Sequence, residues 1–438
     1  MKRVVLLVAL TIIATSAISG AGVLFPTPDR SRTRVAPEPP VGEAPPTEAA
    51  IDFFADRVRE NPKDAVGFTL LGQLHSQYAR ETGDVASFER AEVSLERALD
   101  LLPRSATAGA ALAEVYYAEH RFEDALHLAR RVHRSSPSTT QALATIGDAY
   151  LALGDYRQAT SAYRALSDLG PTPPALAREA QLAWVHGRTE RALELMERAA
   201  LTSLEAGEVG ERASWYEVRL GDLGFGLGRL DIAEDHYRRA IEIFEDSYQA
   251  VAGLGRVLAA QGHFAEAIGL YERAVSIVPQ PDLVAALGDL YALTDRPALA
   301  EDRYALVEAI GTLAASNRQV YNRQLAMFYA DHDRDLDAAL DLATAEIEVR
   351  KDVLGYDALA WTLYKNERPK EAARAIALGL RLGTRDASLF YHAGMIYDAL
   401  GNDERATRFL ERSLALNPGF SPLQVRIARS TLERLSTA

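Results

Sequence analysis

The chain has no cysteine among its 438 residues. This absence excludes disulfide bonds, thiolate nucleophiles and metal sites built on cysteine. Histidine is also sparse, because the nine histidines are scattered and no His-Glu-x-x-His segment offers a pair of zinc ligands. We therefore expect the protein to bind neither a metal nor a cofactor.

An excess of positive charge is missing as well. The net charge is −13, and only five of the 48 basic residues are lysine. Nucleic-acid binding needs a basic stripe that neutralises phosphates, and the sequence has none. DNA and RNA are therefore excluded as expected partners. The strong preference for arginine over lysine is typical of a GC-rich bacterium.

The sequence contains no motif of a catalytic site. A Gly-x-Ser-x-Gly nucleophile elbow is absent, and the many carboxylate pairs lie on predicted solvent-facing helix surfaces. Alternating acids between Asp331 and Asp337 resemble the start of a calcium loop. However, Leu336 replaces the turn glycine and Leu342 replaces the final glutamate. We interpret this segment as a solvated loop, leave open whether it binds a cation, and predict no enzymatic activity.

A repeat of about 34 residues organises the sequence. An alanine marks one step of it, at Ala125, Ala159, Ala233, Ala267, Ala300, Ala338, Ala372 and Ala406. In the clearest unit, which starts at Tyr248, Val251 and Leu254 fall at helical spacing. Gly262 then separates this helix from a second one, which ends before Pro279. Each unit is therefore predicted to be a pair of antiparallel helices.

This pattern resembles the tetratricopeptide repeat, in which every unit is one helix pair. The resemblance covers nearly the whole chain after about residue 50. It implies an all-α, right-handed superhelical solenoid of about ten units, with a capping helix at each end. The marker alanine would face the crossing of the two helices, where a larger side chain would cost roughly 1–3 kcal/mol.

The sequence divides into five predicted segments. They are a signal peptide or N-terminal membrane anchor at 1–25, a proline-rich linker at 26–47, an N-terminal capping helix at 48–64, the repeat solenoid at 65–420 and a C-terminal capping helix at 421–438. The linker assignment follows from its many prolines and few large apolar residues. The capping helices are expected because terminal repeats would otherwise expose an apolar face.

The N-terminal segment indicates export. Lys2 and Arg3 precede an apolar run with small residues and an acceptable cleavage site at 19–21. The uncharged stretch continues to Phe25, long enough to span a bilayer if it is not cleaved. We expect an extracytoplasmic protein, periplasmic or at the cell surface. It would be either secreted or tethered to the inner membrane by residues 4–25, its only expected membrane contact.

The resemblance also predicts which side chains face a partner. First helices of such units line a concave groove, and the groove-facing steps here include Glu114, Tyr117, Asp148, Trp215, Asp222, Phe225, Asp289, Met327, Trp361, Tyr364, Tyr391 and Met395. Acids prevail toward the N-terminal half, whereas aromatic and methionine side chains, which are typical binding anchors, prevail toward the C-terminal half. The alternative is that the acids are ordinary solvated surface and the aromatics pack between neighbouring helices.

These features predict a non-catalytic scaffold for protein–protein interaction in the bacterial cell envelope. Its partner would be an extended or helical segment, basic at one end and apolar at the other, from a protein that the sequence does not identify. One alternative is recognition of an envelope glycan by the aromatic groove around Trp361. Another is an enzyme whose site the sequence does not reveal.

Overall fold

The structure is a computed structural model that describes residues 46–316 and 322–437. These residues form 22 α-helices and, within the two ranges, no strand. The predicted all-α repeat solenoid is thereby confirmed. The predicted signal peptide or anchor, and nearly all of the predicted linker, lie outside the described residues.

An N-terminal helix, ten helix pairs and a C-terminal helix follow one another along the chain. The N-terminal helix is α1, Thr47–Glu60. Units 1–5 are α2 Ala65–Thr82 with α3 Ala86–Leu101, α4 Ala106–Ala118 with α5 Phe122–Ser135, α6 Thr140–Ala152 with α7 Tyr156–Asp168, α8 Pro173–Val185 with α9 Thr189–Glu205, and α10 Gly210–Gly226 with α11 Leu230–Ile243. Units 6–10 are α12 Tyr248–Ala260 with α13 Phe264–Ile277, α14 Pro281–Leu293 with α15 Pro297–Ser316, α16 Asn322–Asp331 with α17 Leu336–Val349, α18 Val353–Lys365 with α19 Pro369–Leu380, and α20 Ala387–Ala399 with α21 Asp403–Leu416. The last helix is α22, Gln424–Thr437.

Every unit reverses direction at a residue with positive φ between its two helices. Six units use glycine there, and the other four use His120, Asp295, Asp333 and Glu367. A side chain in this left-handed region costs about 1–2 kcal/mol, whereas glycine avoids the cost. Four units therefore keep the left-handed turn of the repeat although the residue there carries a side chain and is strained.

The marker alanines form the crossing points that the repeat predicts, with one exception. Ala125, Ala159, Ala233, Ala267, Ala372 and Ala406 are fully buried, and Ala300 is nearly so. In unit 8, however, the fully buried residue is Ala339, whereas Ala338 is half-buried. The turn of this unit contains a second residue with positive φ, Asp335, which caps α17 one position later than in other units. The prediction of Ala338 was therefore wrong by one residue.

The stack of units is curved, with first helices on the inside. First helices of consecutive units pack directly against each other in seven of nine cases, namely α2 with α4, α4 with α6, α6 with α8, α10 with α12, α14 with α16, α16 with α18, and α18 with α20. No two second helices of neighbouring units pack to a similar extent in the described part of the chain. The first helices therefore line a concave face.

Curvature brings the second half of the stack against the first half. The Thr384 hydroxyl donates to the Val185 carbonyl, 199 residues away, and the Asn417 amide donates to the Phe225 carbonyl, 192 residues away. These separations correspond to between five and six repeats of about 34 residues. The Lys351 backbone N–H likewise donates to the Ala152 carbonyl at 2.8 Å. We call this boundary between units 3–5 and units 9–10 the inter-turn seam.

Apolar packing accompanies the hydrogen bonds of the inter-turn seam. One continuous core contains Leu151 and Val185 from the first half together with Val353, Ile376 and Leu389 from the second half. Units far apart in sequence thus share a core, whereas a simple solenoid unit contacts only its neighbours.

Candidate functional site

All twelve predicted partner-facing residues lie on first helices, but they differ in accessibility. Glu114 is exposed. The half-buried residues are Tyr117, Asp148, Trp215, Asp222, Asp289, Met327 and Tyr364. The buried residues are Phe225, Trp361, Tyr391 and Met395, at 6%, 3%, 1% and 8% exposure. The accessible members therefore concentrate in the N-terminal two thirds of the concave face.

Asp148 is held by two side chains from the helices around it. The Tyr163 hydroxyl, from the second helix of the same unit, donates to Asp148 Oδ1 at 2.7 Å. The Arg178 guanidinium, from the first helix of the next unit, donates to both carboxylate oxygens at 2.7–3.1 Å. The carboxylate is thus paired within the protein rather than free for a partner.

The same arrangement recurs at Asp222. Tyr237 donates to its Oδ1 at 2.8 Å, Arg256 donates to the same oxygen at 2.7 Å, and Arg219 lies 3.2 Å from Oδ2. Burial alone would raise the pKa of Asp222, but the two guanidinium groups and the tyrosine hydroxyl outweigh it and lower the pKa. The carboxylate is therefore held ionised by groups of the protein itself.

Asp289 completes the series, with a histidine in the position that arginine takes in the other two constellations. Tyr304 donates to its Oδ1 at 2.9 Å, and His332 Nε2 lies 2.7 Å from the same oxygen. Burial opposes protonation of His332, yet the Asp289 carboxylate and the Phe328 carbonyl raise its pKa. We call these three constellations the Asp–Tyr–cation ladder. In each, the tyrosine follows the aspartate by 15 residues.

The C-terminal part of the concave face is a packed aromatic cluster. Trp361 stacks on His392 with 4.3 Å between ring centroids, and its indole N–H donates to Asp331 at 2.8 Å. The C-terminal helix α22 packs against this cluster, since Thr431 lies 3.8 Å from the Met395 sulfur. An indole buried in this way offers no ring face to a saccharide. This burial weighs against the hypothesis that Trp361 recognises an envelope glycan.

The acids between Asp331 and Asp337 do not converge on one point. Asp331 accepts from Trp361, Asp333 pairs with Lys365 at 2.5 Å, and Asp335 caps α17. Across residues 46–316 and 322–437, no cluster of three or more histidine or carboxylate side chains could hold a metal ion.

Sequence comparison identifies repeats over much of the chain. A tetratricopeptide repeat model matches residues 145–208 and 218–283, and a second one matches residues 387–420. A model of the anaphase-promoting complex, cyclosome, subunit 3 matches residues 84–166. No curated protein sequence matches the chain.

Structure comparison gives a distant similarity. A crystal structure of the APC/C hetero-tetramer Cut9-Hcn1 contains a chain with 13% sequence identity and a TM-score of 0.32. The similarity covers 89% of this chain and 93% of that chain. At this TM-score it informs neither the fold nor the partner.

Proposed function

Because the chain belongs to the tetratricopeptide-repeat family, we propose that it is a non-catalytic scaffold that binds an extended or helical segment of a protein partner along its concave face. The observation that supports this proposal is the direct packing between first helices in seven of the nine pairs of consecutive units, which places the first helices along one face of the stack. Accessible polar and aromatic side chains remain on that surface, among them Glu114, Tyr117 and Trp215. Large rigid aromatic groups of this kind are frequent anchors in protein interfaces.

The Asp–Tyr–cation ladder changes which acidic side chain is available to bind a basic partner. Asp148, Asp222 and Asp289 already have internal hydrogen-bond donors, so another cation would gain little from them. Glu114 is exposed, accepts from the neutral Gln141 amide at 2.5 Å, and forms no ion pair within the part of the chain that the structure describes. We therefore place the basic end of the partner segment near Glu114 and unit 2.

We further propose that the protein acts in the bacterial cell envelope. The support is the apolar run near the N-terminus, preceded by Lys2 and Arg3. Among the helices that the structure describes, none has the length and apolar character needed to cross a bilayer. Protease accessibility in intact and permeabilised cells checks the location independently of any partner.

A photo-crosslinking amino acid at position 114 is expected to capture one partner segment in living cells. Glu114 lies on the first helix of unit 2, whereas Glu123 lies on the second helix of the same unit and is also exposed. Because only the first helix lines the concave face, the same probe at position 123 should give no adduct with that partner. Mass spectrometry of the adducts reports the captured segment. Equal capture from both positions, or from position 123 alone, would contradict the proposal.

A further inference from the structure

A pocket of about 290 Å³ lies on the inter-turn seam. Its lining comes from units 4 and 5 on one side and from the start and end of unit 10 on the other, namely Glu190, Leu227, Arg229, Arg385, Phe390, Arg412, Ala415 and Leu416. It is separate from the predicted partner-facing residues, none of which lines it. Its wall contains three arginines although the chain as a whole carries a net charge of −13.

Only one of these arginines is neutralised by a neighbour. Arg229 forms an ion pair with Glu190. Arg385 and Arg412 have no ion-pair partner within the residues that the structure describes. The Arg412 guanidinium instead lies over the Phe390 ring, 4.0 Å from its centroid. Stacking uses the face of a guanidinium and leaves its N–H groups available along the edge.

The two unpaired arginines also repel one another. The pKa of Arg412 is lowered, first by burial and then by the positive charges of Arg385 and Arg408. Both side chains are exposed, so solvent screens part of this repulsion. A bound oxyanion would accept charge-assisted hydrogen bonds from both guanidinium groups and relieve the repulsion.

We propose that this pocket binds a small oxyanion of the phosphate or sulfate type, held by Arg385 and Arg412. The volume suits a small ion or a phosphate ester rather than a folded partner. The walls of the pocket come from both turns of the stack, Leu227 and Arg229 from one and Phe390 and Arg412 from the other, whereas both proposed ligands belong to unit 10. A bound anion would stabilise the folded protein by mass action, a role distinct from partner binding on the concave face.

Calorimetric titration of the full-length protein with inorganic phosphate, sulfate and pyrophosphate at low ionic strength tests this site. We expect saturable binding of at least one of these ions. R385Q and R412Q should each weaken it by about tenfold or more, because each removes hydrogen bonds to a charged group. R405Q is the matched control, since Arg405 is on the same helix, contacts Tyr397 and lies outside the pocket. It should bind with wild-type affinity.

Thermal unfolding provides a second readout that does not depend on calorimetric heat. The bound ion should raise Tm in the wild type and in R405Q, and the increase should be lost in R412Q. Circular dichroism of each variant without ligand verifies that it is folded. The inference is overturned if none of the three ions binds the wild type. It is equally overturned if R385Q and R412Q keep wild-type affinity, or if R405Q loses as much as they do.

Discussion

Gly187→Ala is expected to lower the free energy of unfolding by about 3 kcal/mol or more. Gly187 has φ 68°, and a Cβ there would overlap the Gly383 carbonyl oxygen across the inter-turn seam. The left-handed conformation alone costs an alanine about 1–2 kcal/mol. Forcing the facing backbone away adds a comparable overpacking cost, because the neighbouring Thr384 is hydrogen-bonded to Val185. Denaturant unfolding followed by circular dichroism measures the loss.

Gly262→Ala is the matched control for this prediction. Gly262 occupies the equivalent turn of unit 6 with φ 86°, and nothing lies within 4 Å of an added Cβ. It should therefore show only the conformational cost, partly offset by the lower entropy of the unfolded alanine chain. Equal losses in the two variants would mean that the seam contact does not contribute to stability.

Asp222→Ala is expected to lower the free energy of unfolding by about 2–3 kcal/mol. The change removes the acceptor of the fully buried Tyr237 and of the Arg256 guanidinium, two donors that the ladder otherwise satisfies. Removing one partner of a fully buried ion pair would lower the free energy of unfolding by about 3–5 kcal/mol. We expect a smaller loss here because the side chains of Asp222 and Arg256 both remain partly accessible. Asp246→Ala, at an exposed aspartate, should change stability by no more than about 0.5 kcal/mol.

The same substitution should alter the response to acid. The pKa of Asp222 in the folded protein lies below its ordinary value of 3.8. Its contribution to stability is therefore complete above that ordinary value and is lost as the pH falls through the lower, folded pKa. Asp222→Ala should lose less stability between neutral and acidic pH than the wild type does. A wild-type pH profile in this variant, or an unchanged free energy of unfolding, would show that the ladder is not stabilising.

The repeat architecture could be predicted because its determinants are local. The spacing of marker alanines, turn glycines and apolar residues within one unit specifies a helix pair, and repetition specifies the stack. Unit 8 shows the limit of this reasoning. Its turn gains one residue, the strained Asp335 caps α17, and burial moves from Ala338 to Ala339. The period of the repeat cannot reveal this inserted residue, because both candidate positions, 338 and 339, are occupied by alanine.

The environment of the predicted partner-facing residues depends on contacts between helices, which the position of a residue within the repeat does not reveal. The register placed Asp148, Asp222 and Asp289 on the concave face but not the partners that neutralise them. A tyrosine 15 residues after each aspartate was the available signal, since that spacing joins the two helices of one unit. The burial of Trp361 depends on α22, whose packing is a tertiary property.

The inter-turn seam had no sequence signal at all. Its hydrogen bonds use backbone carbonyls such as those of Ala152, Val185 and Phe225, which any residue could supply. Its partners stand nearly 200 residues apart, at separations of 199 and 192 in two cases. Only the curvature of the whole stack brings them together. The proposed oxyanion pocket, built from both turns, was hidden for the same reason.

The distance between the two turns tests the central claim most directly. The chain has no cysteine, so spin labels on Arg188→Cys and Arg381→Cys report one distance by pulsed electron paramagnetic resonance. Both positions are exposed and flank the contact between Gly187 and Gly383. Closure of the stack predicts a single population at short distance. An open stack, with neighbouring helices about 8–10 Å apart, would separate the labels by about 50 Å or more. A main population at that distance would contradict the account.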